Sequence, residues 1–408
     1  MNILLLTKDG DGFSLAMALR QSGNEVKFWT NNRRLNNFVM SGFLPRISLS
    51  EGLKWADLVV ADMVGMGAMR QKIDKRGVPQ LGLNLAADAM ELDRARQMEL
   101  LDKVGIETPP TYRFDDPTEA LQILSFFSSP GYVIKPSGNL NTAKTMLAED
   151  EQSYTWALDQ FAVDQQLIVQ KIVRGVEVST EGWFNGKDWS HFNHTFEEKR
   201  FLTGSLGQNV GCMGNVVLQG TSNSALSQNL QKLTDFLQRA KYRGPVDLNT
   251  IVNDNGPNAL EITPRLGYDA IEALWAMSDR RKFSEFLWGI ASGRDTPLAL
   301  DYQAGAAVRL SLPPYPMSEP TSEDRGLPIS FSTEPLWSDA YKDRDTIYWA
   351  AFDGVLAKAV GFGDDPHEAI TEAYRVVEGV TAMNLQYRTD IGKRVPNDLL
   401  TLQNLGAF

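Results

Sequence analysis

Residues 2–6, NILLL, form a short apolar run, the pattern of a parallel strand covered on both faces. The loop TKDGDG follows, and FSLAMALRQSG then reads as an amphipathic helix ending at Gly23. EVKFW and ADLVVAD (residues 56–62) repeat the strand pattern, with the helical MGAMRQKIDKRG after them. This alternation predicts an open parallel α/β unit over about residues 1–90. Residues 85–104, LAADAMELDRARQMELLDKV, read as one long helix, and the prolines of GIETPPTYRF mark a boundary near residue 108. GYVIKPSGNLNTAKTMLA reads as a strand ending in Lys135, a small-residue loop and then Lys144. QSYTWALDQFA is helical. QLIVQKIVRGVEVSTEGWFNGKDWSHFNHTF reads as one strand, a tight connection at Arg174-Gly175, and two strands joined at Asn185-Gly186. The segment EEKRFLTGSLGQNVGCMGNVV is rich in glycine and poor in core residues, as substrate loops are. SALSQNLQKLTDFLQRAKY reads as a second long helix.

That helix leads into GPVDLNTIVNDNGPNALEITPRLG, residues 244–267, which reads as two strands joined at the turn NDNG. Side chains alternate along a strand, so Asp247 and Asn249 share a face, as do Glu261 and Thr263. Pairing of the strands would let Asp247 and Glu261 converge, as carboxylates holding a hard divalent cation do. Arg265 follows, placed to meet an anion. The same pattern also suits an amphipathic hairpin with solvated acids. Helices IEALWAMS and FSEFLWGIASG come next, and from about residue 300 strand-like AGAAVRLSLP, TIYWAAF and VLAKAVGF precede the helix DPHEAITEAYRVVEGV.

Composition narrows the classes. The chain has 408 residues, enough for two or three packed units, with 43% hydrophobic and 22% charged residues. A net charge of −11 argues against nucleic-acid binding through a general positive field. The single cysteine, Cys212, excludes an internal disulfide, which fits a reducing, cytoplasmic setting. No secretory leader and no membrane-spanning run is expected. DGDG is not a dinucleotide fingerprint, and GxxxxGK[ST] is absent. His191 and His194 fall on opposite faces of a strand, which argues for structural roles. Cys212 is expected to be exposed in its glycine-rich loop, with nothing to activate it.

Five pieces in order resemble the ATP-grasp superfamily, and within it the phosphoribosylamine–glycine ligases: VIKPSGNLNTAK, LIVQKIVRGVEVSTEGW, EEKRFLTGSLGQNVGCMG, NALEITPRLG, and AYRVVEGVTAMNLQYRTDIGKRV. The resemblance implies an α/β pre-ATP-grasp domain (1–90), an ATP-grasp domain (91–299) with a nucleotide-clamping part (about 108–175), and a β-rich domain (300–408). It implies ATP bracketed by Gln170, Lys171, Ile172 and Val173, with Glu177 on the ribose. Arg94, Lys135 and Lys144 would serve the phosphates. Asp247 and Glu261, with Asn249 or Thr263, would hold Mg²⁺ (or Mn²⁺). Arg265, Lys199 and Arg200 would act on the reacting groups, and Asn209, Gly211, Met213 and Gly214 would form the substrate loop. The implied reaction passes through an acyl phosphate to an amide, with an amino acid such as glycine as the carboxylate, in a monomer or homodimer.

The departures fall where substrates are chosen. The first loop is DGDGFS instead of a GGREH-type loop, and acid is a poor companion for a substrate phosphate. Arg94 stands where the family usually has lysine, and Leu266-Gly267-Tyr268-Asp269-Ala270 loses the family's acid pair. The amine is therefore phosphoribosylamine or an altered one, such as that of a modified nucleotide or nucleobase. The alternative is a non-catalytic ATP-binding relative serving as a regulatory or assembly subunit.

Overall fold

The computed structural model describes residues 1–124, 131–137, 145–161 and 166–408. Lys144 lies outside the described residues. The N-terminal unit is a parallel sheet in the order Glu25–Trp29, Asn2–Leu6, Leu58–Ala61, Gln80–Leu81. Its central strand is apolar throughout because both faces are covered: Ile3 and Leu5 face one core, Leu4 and Leu6 another. The first helix is Phe13–Gln21.

The body of the molecule is an eight-stranded sheet, antiparallel at every pairing. Its order is Gly256–Thr263, Gly244–Asn253, Val176–Phe184, Trp189–Glu197, Gly214–Gln219, Ala304–Ser311, Val355–Gly363, Leu336–Trp337. Three strands after residue 300 thus continue the sheet begun by the carboxylate-bearing hairpin, while Ala340–Asp343, Thr346–Trp349, Pro328–Phe331 and Val380–Thr381 form a further four-stranded sheet. A separate four-stranded sheet, Thr111–Phe114, Leu167–Lys171, Tyr132–Pro136, Met146–Ala148, packs its own core around Phe114, Ile134, Leu167 and Val169. It forms a smaller lobe beside the large sheet.

Three readings of the sequence need correction. The helix expected over 85–104 is two helices, Leu85–Leu92 and Arg94–Lys103. Asp93 breaks it, leaving helical geometry so that its carboxylate caps the Arg96 N–H. The helix expected before residue 242 likewise divides into Ala225–Gln231 and Thr234–Ala240. Cys212 is buried at 1% exposure, with the Asn215 amide against its sulfur. Burial pushes its thiol well up.

Candidate functional site

The hairpin forms as its alternation predicts, and its register decides the chemistry. Asp247 faces Thr263 and Asn249 faces Glu261, so all four side chains lie on one face of the sheet. The next strand adds Glu181 opposite Asp247 and Ser179 opposite Asn249. Beyond it, Asn193 and Thr195 oppose Glu181 and Ser179, and Glu197 lies further along that strand. One face of the sheet is therefore a polar floor.

Cations converge on the Glu261 end. Arg94, the first residue of its helix, places Nη1 3.6 Å from Glu261 Oε2. Lys135 reaches in from the smaller lobe and donates to the Leu260 carbonyl at 3.1 Å. Lys199 pairs with Glu177 at 2.6 Å and Glu197 at 3.4 Å. Burial alone would raise the Glu261 carboxyl, but Arg94, Lys135, Lys199 and Arg265 outweigh it and hold it at about 2. Burial lowers Lys135 to about 8, against the pull of Glu261. Away from the cations the floor behaves oppositely. Burial raises Asp247 to about 7, with Glu197 adding to it, and burial with Asp247 raises Glu181 to about 8. Asp247 Oδ1 and Asn249 Oδ1 are buried without hydrogen-bond partners. Two orphaned oxygens beside an ionised carboxylate suit a hard cation. Among the described residues no group of three or more His, Cys, Asp or Glu is arranged to hold a metal, so such a site rests on two carboxylates and an amide oxygen. Thr263 donates weakly to Asp247 Oδ2 at 3.5 Å.

Other residues singled out by sequence are already engaged. Gln170 turns inward, donating to Thr111 Oγ1 at 3.1 Å and towards Met98 Sδ at 3.4 Å. The N–H groups of Lys171 and Ile172 bond to the carbonyls of Pro110 and Gly131, while the Lys171 side chain is exposed and Val173 half-buried. Arg265 is locked to Glu91 at 2.9 Å and stacks 4.2 Å over the Tyr268 ring. Arg200 is exposed and donates to the Gly207 carbonyl, which closes the hairpin Arg200–Leu202/Leu206–Asn209 and keeps the guanidinium out of the cluster. Asn209 accepts from the Gly211 N–H in the exposed part of that segment. Met213 is fully buried, and Gly214 begins a strand of the large sheet. Met213 and Gly214 therefore lie in the packed body, whereas Asn209 and Gly211 lie on its exposed surface.

Sequence reasoning missed Glu91, Glu181 and Glu197. The available signal was VEVSTEGWF, where Glu177, Ser179 and Glu181 recur at every second position. The closing segment is tied to the glycine-rich one. Arg388, 1% exposed in its side chain, pairs with Glu198 at 3.1 Å and Asp390 at 2.8 Å, and Arg394 meets Glu198 at 2.9 Å.

Comparison with known proteins fits this geometry. Residues 93–270 match the family model described as phosphoribosylglycinamide synthetase, ATP-grasp (A) domain. The phosphoribosylamine–glycine ligase of Archaeoglobus fulgidus is 21% identical over 388 residues, covering 80% of this chain and 81% of that protein. The trifunctional purine biosynthetic protein adenosine-3 of Drosophila pseudoobscura pseudoobscura is 22% identical over 81% of this chain. The match spans about a quarter (26%) of that longer protein. The crystal structure of the Thermotoga maritima phosphoribosylamine–glycine ligase superposes with a TM-score of 0.76 at 18% identity, covering 96% of this chain and all of that one. No helix among the described residues is long and apolar enough to cross a membrane.

Proposed function

We propose that this chain, similar to phosphoribosylamine–glycine ligase, is an ATP-grasp ligase that joins a carboxylate to an amine with ATP. The observation that carries this reading is the Glu261 cluster. An ionised carboxylate sits among Arg94, Lys135 and Lys199, beside the orphaned oxygens of Asp247 and Asn249. Those oxygens fit Mg²⁺, with Glu261, Asp247 and Asn249 as its ligands. Mg·ATP would supply the phosphoryl group that activates the carboxylate as an acyl phosphate.

The chain's own residues bind and neutralise. Lys135 and Arg94 offer positive charge where phosphates would lie, and both are restrained by neighbours before any ligand arrives. Lys199 is held by Glu177 and Glu197, which keep it protonated and fixed in direction. Glu177 is thereby shared between Lys199 and the ribose role assigned to it. The Gln170–Val173 segment serves adenine through its outward side chains, since the Gln170 amide and two of the N–H groups are bonded within the lobe. Glycine is the carboxylate favoured by the similarity, and the amine is the open partner.

Isothermal titration with Mg·ATP, followed by ADP release across amino acids and amines, tests the proposal. Saturable Mg²⁺-dependent binding and turnover on an amino acid–amine pair are expected. Absence of Mg·ATP binding overturns it. Binding with no turnover on any pair would instead support a regulatory or assembly subunit.

A further inference from the structure

The place where a parallel α/β unit offers an anion site is the N-terminus of its first helix, at the carboxyl end of the first strand. In this chain that place is filled by the protein's own acid. Asp62, directly after the strand Leu58–Ala61, accepts from the Gly12 N–H through Oδ2 at 3.0 Å. Asp62 is 2% exposed; the Thr7 side chain and the Lys8 backbone also lie against its carboxylate, but its Oδ1 makes no bond of full hydrogen-bonding geometry. Asp11, on the same loop, is half-buried and accepts from the Tyr268 hydroxyl at 3.2 Å. Asp11, Asp62, Tyr268, Glu272 and Lys358 line a cavity of about 10 Å³, room for one water-sized group. Glu272 Oε2 is a second buried oxygen there without a partner.

The surrounding charges balance before these acids are counted. Arg265 is paired with Glu91, and Arg309 makes two bonds of 3.1 Å to Asp269. Lys358 lies 3.0 Å from Asp269 and 3.1 Å from Glu272. Three cations meet three carboxylates, which leaves Asp11 and Asp62 in excess, with half-buried Asp353 nearby. A phosphate brought here would lose the helix N–H to Asp62 and face more carboxylates than cations. An ammonium group matches both the sign and the size of the space. Burial, with Asp11 adding to it, raises the Asp62 carboxyl to about 7, as expected of a buried acid that lacks a counter-cation. Arg265 follows the strand that carries Glu261 and stacks on the Tyr268 ring, whose hydroxyl donates to Asp11, so the crevice adjoins the cluster where the acyl group would form.

We propose that this crevice receives the amine acceptor, and that the acceptor is a small phosphate-free molecule whose ammonium group seats between Asp62 and Asp11. The proposal rests on the ligase reading for the word acceptor, but its binding chemistry stands apart from ATP. Titration of the full chain, saturated with Mg·ADP, with 1,4-diaminobutane and separately with ribose 5-phosphate tests it. The diamine is expected to bind, and Asp62→Asn and Asp11→Asn each to weaken it about tenfold or more, the usual loss when a buried charge partner is removed. Mg·ADP affinity is expected to stay unchanged in both variants, and ribose 5-phosphate not to bind. Binding of ribose 5-phosphate, or diamine affinity indifferent to both substitutions, overturns the inference. Should Asp62→Asn fail to fold, Asp11→Asn on the half-buried loop decides alone. Mg·ADP binding without diamine binding sinks this inference only, whereas diamine binding without Mg·ADP binding sinks the ligase reading only.

Discussion

Replacing Glu261 by Gln removes a carboxylate on which Arg94, Lys135, Lys199 and Arg265 all act, and leaves those cations facing one another. Glu261→Gln is expected to weaken Mg²⁺-dependent ATP binding about 10- to 100-fold, the range seen when a metal site loses a supporting oxygen. Thr263→Ala should change it far less, because Thr263 makes only a 3.5 Å contact with Asp247. Calorimetric titration at fixed Mg²⁺ checks both. Equal losses in the two variants would remove Glu261 from its central role. His194 gives a second expectation at this scale. Burial lowers its pKa to about 4, and its ring is held between Thr180 and Ser224. From pH 6.5 down to 4 the unfolded chain takes up the proton and the folded chain does not, so stability falls as pH falls through that window. The full effect is about 3 kcal/mol. Thermal melts of the wild type and His194→Gln at pH 7 and pH 5 check it. The variant's midpoint should drop less between the two pH values. Glu261 was legible in the sequence because it sits in a strong hairpin signal. Glu181 and Glu197 were not, because acids at alternate strand positions read as a solvent face until the neighbouring strands are known.

The helix Ala270–Met277 lies close enough to the large sheet that a Cβ on Gly305 would come 2.2 Å from the Ala273 carbonyl oxygen. Gly305→Val must therefore lift that helix, and with it Asp269 and Glu272, away from Arg309 and Lys358. A loss of about 3 kcal/mol is expected from overpacking, read as a lower urea midpoint, and more if the buried ion pairs separate. An unchanged midpoint would mean that the helix shifts freely and that the ion pairs do not fix it. Element types were readable where apolar spacing was strict, as in NILLL, the carboxylate hairpin and the helix Pro366–Glu378. Helix continuity was not. Apolar periodicity runs through Asp93 and through Lys232-Leu233, and only the local capping and turn geometry ends one helix and starts the next. The sheet to which a strand belongs was equally hidden. Leu167–Lys171 and Val176–Phe184 are neighbours in sequence yet join different sheets.

At the scale of the whole molecule, the lobe built on Thr111–Phe114, Tyr132–Pro136, Met146–Ala148 and Leu167–Lys171 has a small core of its own, whereas the large sheet shares in the two largest cores. Polar bridges carry the lobe onto the rest: Lys135 to the Leu260 carbonyl and Gln170 towards Met98. A unit with fewer buried apolar side chains opens at lower free energy than the body it rests on. Without nucleotide, amide hydrogens of residues 132–136 and 167–171 are therefore expected to exchange faster than those of 176–184 and 244–252. Under the proposed reading Mg·ATP contacts both units, and such a ligand stabilises their docking by mass action. Exchange in the lobe strands should slow on adding Mg·ATP, while the large sheet, already protected, changes little. Hydrogen exchange read by mass spectrometry resolves these segments. Lobe strands as protected as the large sheet before nucleotide, or unmoved by it at saturation, would mean that the two units open as one and that ATP does not bind between them.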